Sequence, residues 1–399
     1  MASYQPVTQE FLAQLESIVP GRVTAGSEVN PDYGRDEMPI YGVHPPEAAV
    51  EILSTEEAAA VVKLCYAHNI PVTTRGAGTG LVGGCVPVFG GVVLSTARMN
   101  RILGYDLENF TVTVQPGVLL QQLAEDALSH GCLYPPDPGE KLATLGGNVS
   151  TNASGMRGVK YGATRDYVKA MTVVLPNGEI TRFGATVSKT SSGYSLLNLM
   201  IGSEGTLGVI SQAILKLVPP PKASKALMAV FDDMQNAAEA VAGIIAAHVL
   251  PCTLEFLDNN TIVRVDDFTK AGLPRDAAAI LLIEVDGHPA QVADDAEAVE
   301  RVLKENKAVA VHVPKDAAEK FKLWEARRMA LPVLARCRPT TVLEDATVPR
   351  SQIPAMMKVI NGLAEKYNLT VGTFGHAGDG NLHPTFMCDK RDKEEFERV

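Results

Sequence analysis

The sequence predicts an α+β protein with two domains, residues 1–222 and 223–399, and three observations support this fold class. The first domain alternates short strand patterns with few helices and contains most of the glycine clusters. The second alternates longer helices with strands in the order βαββαβ, which is typical of a ferredoxin-like sheet with two helices on one face. Between them, residues 218–222 read VPPPK, and consecutive prolines favour an extended spacer because they cannot continue a helix or a sheet ladder.

Capping, alternation and turn signals predict the elements of the first domain. Ser54 followed by Glu57 is a capping box that begins a helix, and Asn69 ends it. Asn177 and Gly178 supply the positive φ angles of a tight turn between two strands. The other predicted elements are the strands IPVTT, GGVVLST, ILGYD and FTVTVQPG and the helix VLLQQLAEDALSHG.

In the second domain, apolar strand patterns alternate with helices of 3.6-residue period. The βαββαβ set comprises the strands LMAVFD, CTLEFLD, AAAILLIEVDG and AVAVHV and the helices NAAEAVAGIIAAH and VADDAEAVERVLKEN. A helix EKFKLWEARRMAL, a strand TTVLEDATV, a helix SQIPAMMKVINGLAEKYN and a glycine-rich tail follow.

Composition excludes several functional classes. The 399 residues carry 36 Lys and Arg against 46 Asp and Glu, and this net charge of −10 has the wrong sign for nucleic-acid binding. The longest apolar run, at residues 240–247, is too short to span a bilayer, and no secretory signal pattern is visible. We therefore expect a cytoplasmic protein, in solution or peripheral to the membrane. The six cysteines form no CxxC pair, which favours reduced thiols over disulfides or a thiolate metal site.

A glycine loop follows the strand IPVTT. Residues 71–84 read PVTTRGAGTGLVGG, and Gly78, Gly80 and Gly83 match the letters of the GxGxxG dinucleotide fingerprint. The context of a Rossmann unit is missing, because Pro87 and two further glycines prevent a following helix and the next acid is Asp106. Two interpretations remain open, a nest of backbone N–H groups for a pyrophosphate and a structural turn.

Two further clusters combine small and polar residues. Residues 134–161 contain Gly, Ser, Thr and Asn with almost no apolar period, and residues 201–211 read IGSEGTLGVIS. Any one cluster could be a set of turns. Three clusters before one domain boundary favour a single extended cofactor with the footprint of a dinucleotide.

In this order and spacing the three clusters resemble the FAD-binding domain of the vanillyl-alcohol oxidase / p-cresol methylhydroxylase superfamily. They are most similar to the branch that contains FAD-dependent D-lactate dehydrogenase, the FAD subunit of glycolate oxidase and D-2-hydroxyglutarate dehydrogenase. The match runs from about residue 46 to the end. The resemblance implies a two-subdomain FAD-binding domain followed by a substrate (cap) domain. It also implies noncovalent FAD, because the loop lacks the His or Cys to which covalent relatives attach their flavin.

The resemblance also implies which residues contact FAD. The pyrophosphate would be held by Arg75, Gly76, Ala77, Gly78, Thr79, Gly80, Gly83 and Gly84. The isoalloxazine ring would contact Pro135, Asp137, Gly146, Gly147, Asn148, Ser150, Asn152 and Gly155. The strand that closes over the cofactor would contribute Glu204, Gly208 and Ile210.

A histidine pair lies near the C-terminus, in the segment TFGHAGDGNLHP. His376 and His383 flank a turn sequence, so they can face each other across a hairpin. One interpretation is a shared divalent metal that binds a 2-hydroxy acid and lowers its hydroxyl pKa. The other is two histidines that only hydrogen-bond the turn.

The same segment resembles the metal and substrate motif of the branch. The resemblance implies that His376 and His383 bind Zn or Mn, that Asn381 points toward flavin and substrate, and that Arg327 pairs with the substrate carboxylate, a planar anion that suits a bidentate guanidinium. The alternative for Arg327 is a surface ion pair with Glu325 or Asp345. Relatives continue with a motif that adds an acidic metal ligand and a catalytic histidine, so we expect the site to be incomplete within these 399 residues.

The leading hypothesis is an FAD-dependent dehydrogenase that oxidises a small D-2-hydroxy acid, D-lactate or glycolate, to the 2-oxo acid. Its electron acceptor would be a quinone, a cytochrome, an iron–sulfur subunit or an electron-transferring flavoprotein, and a homo-oligomer is left open. The alternative is a noncatalytic FAD-binding electron-transfer subunit. An oxidase of phenols or sugars is disfavoured, since it would not need the histidine pair.

Overall fold

The chain forms two compact units in a computed structural model that describes residues 4–38, 40 and 42–399. One unit comprises Met1–Ser154 and Ala163–Pro220, and the other comprises Gly155–Gly162 and Pro221–Val399. The boundary between Pro220 and Pro221 lies within the proline run, two residues before the predicted boundary. The excursion of residues 155–162 into the second unit was not predicted. Lys160 and Tyr161 anchor it there, because both side chains donate hydrogen bonds to the carboxylate of Asp286.

The first unit begins with a small sheet of order β1-β2-β4-β3, in which β2, β4 and β3 are parallel and β1 is antiparallel to β2. Its elements are α1 (Gln9–Ile18), β1 (Val23–Ala25), β2 (Ala48–Glu51), α2 (Thr55–Ala67), β3 (Val72–Arg75) and β4 (Val92–Ser95). The predicted cap is present, since Ser54 Oγ accepts a hydrogen bond from Glu57 N at 3.1 Å. Phe11 and Leu15 of α1 and Val61 of α2 pack in one core with the strands.

A second sheet of the same unit is antiparallel, with the order β5-β6-β9-β7-β8. The elements are β5 (Ile102–Asp106), β6 (Thr111–Val114), α3 (Leu120–Ser129), α4 (Leu145–Thr151), α5 (Gly158–Tyr161, part of the second unit), β7 (Val168–Val174), β8 (Ile180–Gly184), α6 (Leu196–Met200) and β9 (Val209–Lys216). The predicted hairpin of β7 and β8 is confirmed, but only Gly178 of its turn has a positive φ, +85°. The expectation for Asn177 was wrong, because one left-handed residue suffices to close this longer turn.

The second unit contains the predicted βαββαβ order. Its first elements are β10 (Ala223–Phe231), α7 (Met234–Ala246), β11 (Thr253–Asp258), α8 (Asn259–Thr269), β12 (Ala279–Gly287), α9 (Pro289–Glu305) and β13 (Ala310–His312). These strands lie in the order β13-β10-β12-β11, as in a ferredoxin-like sheet. Helix α8 was not predicted.

The rest of the chain extends this sheet beyond β11 with β16, β17 and β14. The elements are α10 (Ala317–Arg328), α11 (Ala330–Cys337), β14 (Thr340–Leu343), β15 (Ala346–Thr347), α12 (Ile353–Tyr367), β16 (Val371–His376), β17 (Asn381–Cys388) and α13 (Lys393–Arg398). Within the described residues, no helix is both long and apolar enough to cross a membrane.

Helices cover both faces of this sheet, so the expectation of one covered face was wrong. Leu281 and Ile283 of β12 pack in one core with α7, α9 and α12, whereas Ile280 and Leu282 pack in another with α8, α10 and α11. A strand with apolar side chains at successive positions must bury both of its faces. The run AILLI in β12 carries this signal.

Candidate functional site

Two groups of predicted site residues lie in the two units, and each is described within its own unit. In the first unit, residues 75–84, 135–152 and 202–210 form what we call the cofactor cradle. The loop after β3 contains no helix, as predicted, and Gly78 and Gly83 adopt φ of +79° and +76°, the left-handed region that favours glycine.

The three segments of the cofactor cradle contact one another. Gly76 lies so close to Thr144 that a Cβ at this position would collide with Thr144 Oγ1. A Cβ at Gly84 would approach Glu204 Oε2 to 2.9 Å. Glu204 N in turn donates to the carbonyl of Ser150 at 2.9 Å. The chain therefore brings together three glycine-rich segments that are far apart in sequence.

The middle segment contains α4, a helix that sequence periodicity did not reveal. Thr144 caps it, and Asn152 ends it in the left-handed conformation. Gly146 packs against Pro116, which a Cβ would approach to 2.5 Å. The Nδ2 atom of Asn148 is buried and has no hydrogen-bond partner among the described residues.

Two features of the cofactor cradle suit a polar, anionic cofactor. Gly80 faces open space, since no described atom beyond its chain neighbours lies within 4 Å of where its Cβ would be. The unpaired amide of Asn148 and the backbone of the glycine loop supply hydrogen-bond donors for an anionic, polar ligand. Each individual FAD contact stays a prediction.

Several predicted FAD contacts have a structural role of their own. The Arg75 guanidinium is buried and donates to the carbonyl of Arg35 at 2.6 Å and to Cys85 Sγ at 3.2 Å. Asp137 is buried and paired with Lys141. Ile210 lies in β9 opposite Val173, and Gly208 directly precedes β9, where a Cβ would approach Val173 Cγ1 to 2.7 Å.

The other predicted contacts are placed as follows. Gly155 is buried and belongs to the segment 155–162 of the second unit. In the first unit, Pro135 and Gly146 are buried, and Ala77 and Gly84 are exposed. The remaining positions are of intermediate exposure: Gly76, Thr79, Gly83, Gly147 and Ser150.

In the second unit, the buried side chains of Arg327 and Glu255 and the partly buried His376 form a cluster that we call the Glu255 cluster. Glu255 lies on β11 with its side chain 0% exposed. Its Oε2 lies 2.5 Å from Arg327 Nη2, and its Oε1 lies 2.8 Å from His376 Nδ1. The alternative that placed Arg327 in a surface ion pair with Glu325 or Asp345 was wrong, because α10 packs this face against the sheet.

The histidine pair lies across a hairpin, as the turn sequence predicted. In the register of β16 and β17, His376 is opposite Asn381 and Phe374 is opposite His383. The two imidazole centroids are 5.1 Å apart. The Arg327 guanidinium carbon lies 4.8 Å from the centroid of the Phe374 ring, so Arg327 also belongs to this neighbourhood. The tertiary structure thus brings together all four residues predicted to be catalytic.

The pKa values of the ionisable side chains around the histidine pair shift in different directions. Burial raises the pKa of Glu255, but the charge of Arg327 and the contact with His376 outweigh it and hold that pKa below its ordinary value. The hydrogen bond to His383 lowers the pKa of Asp345, which lies 2.6 Å from His383 Nδ1. Burial lowers the pKa of His383 and raises that of Asp379 to about 6.

The described residues do not fit a complete metal site. Both Nδ1 atoms of the histidine pair face carboxylates, an arrangement that orients imidazoles in metal sites. However, no group of three or more His, Cys, Asp or Glu side chains in the described part of the chain is arranged to hold a metal. A catalytic zinc site needs about three protein ligands. Zn or Mn binding therefore remains a prediction that this arrangement does not support.

Sequence reasoning missed Glu255. A signal was present, since it is the single acid inside the otherwise uncharged stretch CTLEFL. Charged residues are almost never fully buried unless they are paired, so an acid in a buried strand indicates a partner. Its partners could not be named, because Arg327 and His376 are distant in sequence.

Both units of the chain match known protein families. Residues 46–184 match the family described as FAD binding domain, and residues 220–399 match the C-terminal domain of FAD linked oxidases. The glycolate oxidase subunit GlcD of Bacillus subtilis is 49% identical over 92% of this chain and 78% of its own length. A D-lactate dehydrogenase of Anaerostipes hadrus is 47% identical over 99% of this chain and 85% of its own length.

Solved structures support the predicted fold. A crystal structure of p-cresol methylhydroxylase with substrate bound aligns with a TM-score of 0.82 at 20% identity, over 99% of this chain and 87% of that one. The 4-ethylphenol oxidase of Gulosibacter chungangensis aligns with a TM-score of 0.81 at 15% identity, over 100% of this chain and 87% of that one. The prediction of a vanillyl-alcohol oxidase type fold is confirmed.

Proposed function

The chain belongs to the FAD-linked oxidase family and is an FAD-dependent oxidoreductase, and on this premise we propose that it oxidises a small D-2-hydroxy acid to the 2-oxo acid. D-Lactate and glycolate are the proposed substrates. The relatives named D-lactate dehydrogenase and glycolate oxidase subunit support this substrate class.

One observation carries the proposal, the buried Arg327 beside His376 in the Glu255 cluster. Arg327 Nε is buried without a hydrogen-bond acceptor among the described residues, so it can bind a carboxylate oxygen of the substrate. His376 engages Glu255 through Nδ1, so Nε2 is the ring nitrogen that can face the substrate hydroxyl. Asn381, opposite His376 in the hairpin, can hydrogen-bond the same hydroxyl.

When bound, FAD would accept the hydride from the substrate α-carbon and pass the electrons on. We propose a quinone, a cytochrome, an iron–sulfur subunit or an electron-transferring flavoprotein as the acceptor. The described residues would bind the carboxylate and orient the hydroxyl, whose proton passes to a histidine base.

The test is anaerobic reduction of the bound flavin by D-lactate, L-lactate and glycolate. Reduction is measured as the loss of the visible absorbance of the flavin. Arg327→Lys keeps the charge beside Glu255 but removes the planar fork, so we expect the half-saturating substrate concentration to rise about tenfold or more. Arg336→Lys, at an exposed position of α11, is the matched control. Flavin that none of these acids reduces, or an Arg327→Lys variant with wild-type saturation, would refute the proposal.

A further inference from the structure

Residues 155–162, which we call the strap, leave the first unit after Ser154 and return to it at Ala163. The strap contains α5 and belongs to the second unit by its contacts. Gly162 has φ of +79°, the left-handed region that favours glycine, so the chain can turn sharply where it returns. The strap is therefore a piece of the second unit that the backbone joins to the first unit at both ends.

The base of the strap is tied to α4, the helix that is predicted to contact the flavin. Thr164 N and Oγ1 both donate to the carbonyl of Ala153, at 3.0 and 2.7 Å, and close the loop. Ala153 N donates to the carbonyl of Asn148 at 2.9 Å. The side chain of Asn152 accepts from Arg165 N at 2.9 Å. Because Asn148 and Asn152 are predicted FAD contacts, a cofactor that fixes them also fixes this base.

Asp286 of β12 holds the strap in the second unit, and its side chain is only 5% exposed. Lys160 Nζ donates to Asp286 Oδ1 at 2.5 Å and to the Asp286 carbonyl at 2.6 Å. Tyr161 OH donates to Asp286 Oδ2 at 2.7 Å. Burial and this carboxylate raise the pKa of Tyr161, so the phenol keeps its proton and can donate. One buried side chain thus anchors two consecutive residues of the strap.

The strap also makes apolar contacts with the second unit. Met156 is buried and packs in the core formed by the sheet with α8, α10 and α11. Gly378 lies in the turn between β16 and β17, and a Cβ at this position would approach Val159 Cβ to 2.9 Å. The strap therefore packs on the turn of the hairpin that carries the histidine pair.

We propose that Asp286 is a positioning residue through which FAD binding at α4 is coupled to the order of this hairpin. The cofactor fixes α4 and the base of the strap, Asp286 fixes the far end, and Val159 packs on the turn. This inference rests on the predicted FAD contacts of α4 and does not depend on the substrate class.

The coupling requires that the strap be held at both ends. Three of its eight residues are glycines, so on its own it is a flexible segment. A ligand stabilises those conformations in which its binding segments are ordered, and it suppresses the local openings that involve them. With Asp286 in place, this suppression extends along the strap to the hairpin. Without Asp286 it should end at the base.

The experiment measures amide hydrogen exchange of the full chain with and without FAD, in wild type and in Asp286→Ala. Peptides that cover residues 374–384 report on the hairpin, and peptides that cover residues 75–84 report on the glycine loop of the cofactor cradle. In wild type we expect FAD to slow exchange of both segments about tenfold. In Asp286→Ala the slowing at the hairpin should fall below about twofold, whereas the slowing at the glycine loop should remain.

The ratio of exchange rates with and without FAD is the decisive quantity. A residue that only stabilises the second unit would change exchange at the hairpin by the same factor in both states, so it would leave this ratio unchanged. A hairpin ratio in Asp286→Ala that equals the wild-type ratio would overturn the proposal. So would wild-type protein in which FAD slows exchange at the glycine loop but not at the hairpin.

Tyr161→Phe is a milder variant, because it removes one hydrogen bond to Asp286 and keeps the ring. We expect the slowing at the hairpin to fall to about threefold. This variant decides the matter if Asp286→Ala does not fold, and a wild-type ratio in it would then overturn the proposal. Tyr105→Phe is the matched control, since Tyr105 OH donates to Asp126 Oδ2 at 2.5 Å within the first unit, and it should keep the wild-type ratio.

The outcomes distinguish this inference from the proposed function. Flavin that no hydroxy acid reduces would refute the function and leave the exchange result unaffected, because that measurement contains no substrate. Exchange at the hairpin that does not respond to FAD would refute the coupling and leave the substrate class untouched.

Discussion

Replacing Gly80 by valine should abolish tight FAD binding while leaving the fold intact. Around Gly80, no described atom beyond the chain neighbours lies within 4 Å of the added Cβ, and its backbone is outside the left-handed region. The valine side chain therefore meets no protein atom at its Cβ and projects into the space that the cofactor needs. We expect the free energy of unfolding of the apoprotein to change by less than about 0.5 kcal/mol.

The expected loss of affinity follows from overpacking. Forcing extra methyl groups into an occupied site costs about 1–3 kcal/mol, and each 1.4 kcal/mol is tenfold in Kd. The Kd for FAD should therefore rise about 5- to 150-fold. Titration of the apoprotein with FAD, followed by flavin fluorescence, measures this change directly.

Gly78→Val is the matched comparison, because Gly78 differs from Gly80 in its backbone conformation and in the space around its added Cβ. Gly78 has φ of +79°, and its added Cβ would collide with the Arg75 guanidinium. The left-handed conformation alone costs about 1–2 kcal/mol for a residue with a Cβ, so this variant should be destabilised even without FAD. Wild-type FAD affinity in Gly80→Val would show that the loop is only a turn, and equal destabilisation of both apoproteins would refute the distinction between them.

Three further predictions concern the flavin, the histidine pair and one buried acid. Acid precipitation should release all of the flavin, because attachment is predicted to be noncovalent, and colour in the precipitate would contradict this. If the histidine pair binds Zn or Mn, as the resemblance implies, the described residues offer no third ligand, so we expect weak, substoichiometric binding that His376→Ala and His383→Ala abolish. Metal analysis in which both variants retain wild-type content would exclude the pair as ligands. Burial raises the pKa of Asp258 from 3.8 to about 6, so the folded state favours the neutral acid and loses about 3 kcal/mol of stability as pH rises through this interval. Asp258→Asn keeps the hydrogen bond that caps α8 but loses the one from Thr373 N, so it should be less stable at every pH. It should also flatten the dependence of urea stability on pH between about pH 4 and 7, and an unchanged slope would contradict the assignment.

Local signals in the sequence determined much of the fold. The capping box at Ser54, the hairpin of residues 168–184 and the βαββαβ order each depend on residues close together in the chain. Such signals act through short-range hydrogen bonds and side-chain periodicity, so they can be recognised without tertiary information. The seven residues of α4 were missed because LGGNVST has no apolar period, and its helix depends on the Thr144 cap and on packing of Gly146 against Pro116.

The sequence by itself determined which residue types belong to the site, and the tertiary structure decided what they contact. Glycine clusters, a histidine pair across a turn and an arginine on a helix can be recognised from spacing and resemblance. The pairing of Arg327 with Glu255 could not, since 72 positions separate residues 255 and 327 and only the packing of α10 on the sheet joins them. Contacts between distant segments depend on the shapes of complete, packed elements, and a buried charge finds its partner only when those elements meet.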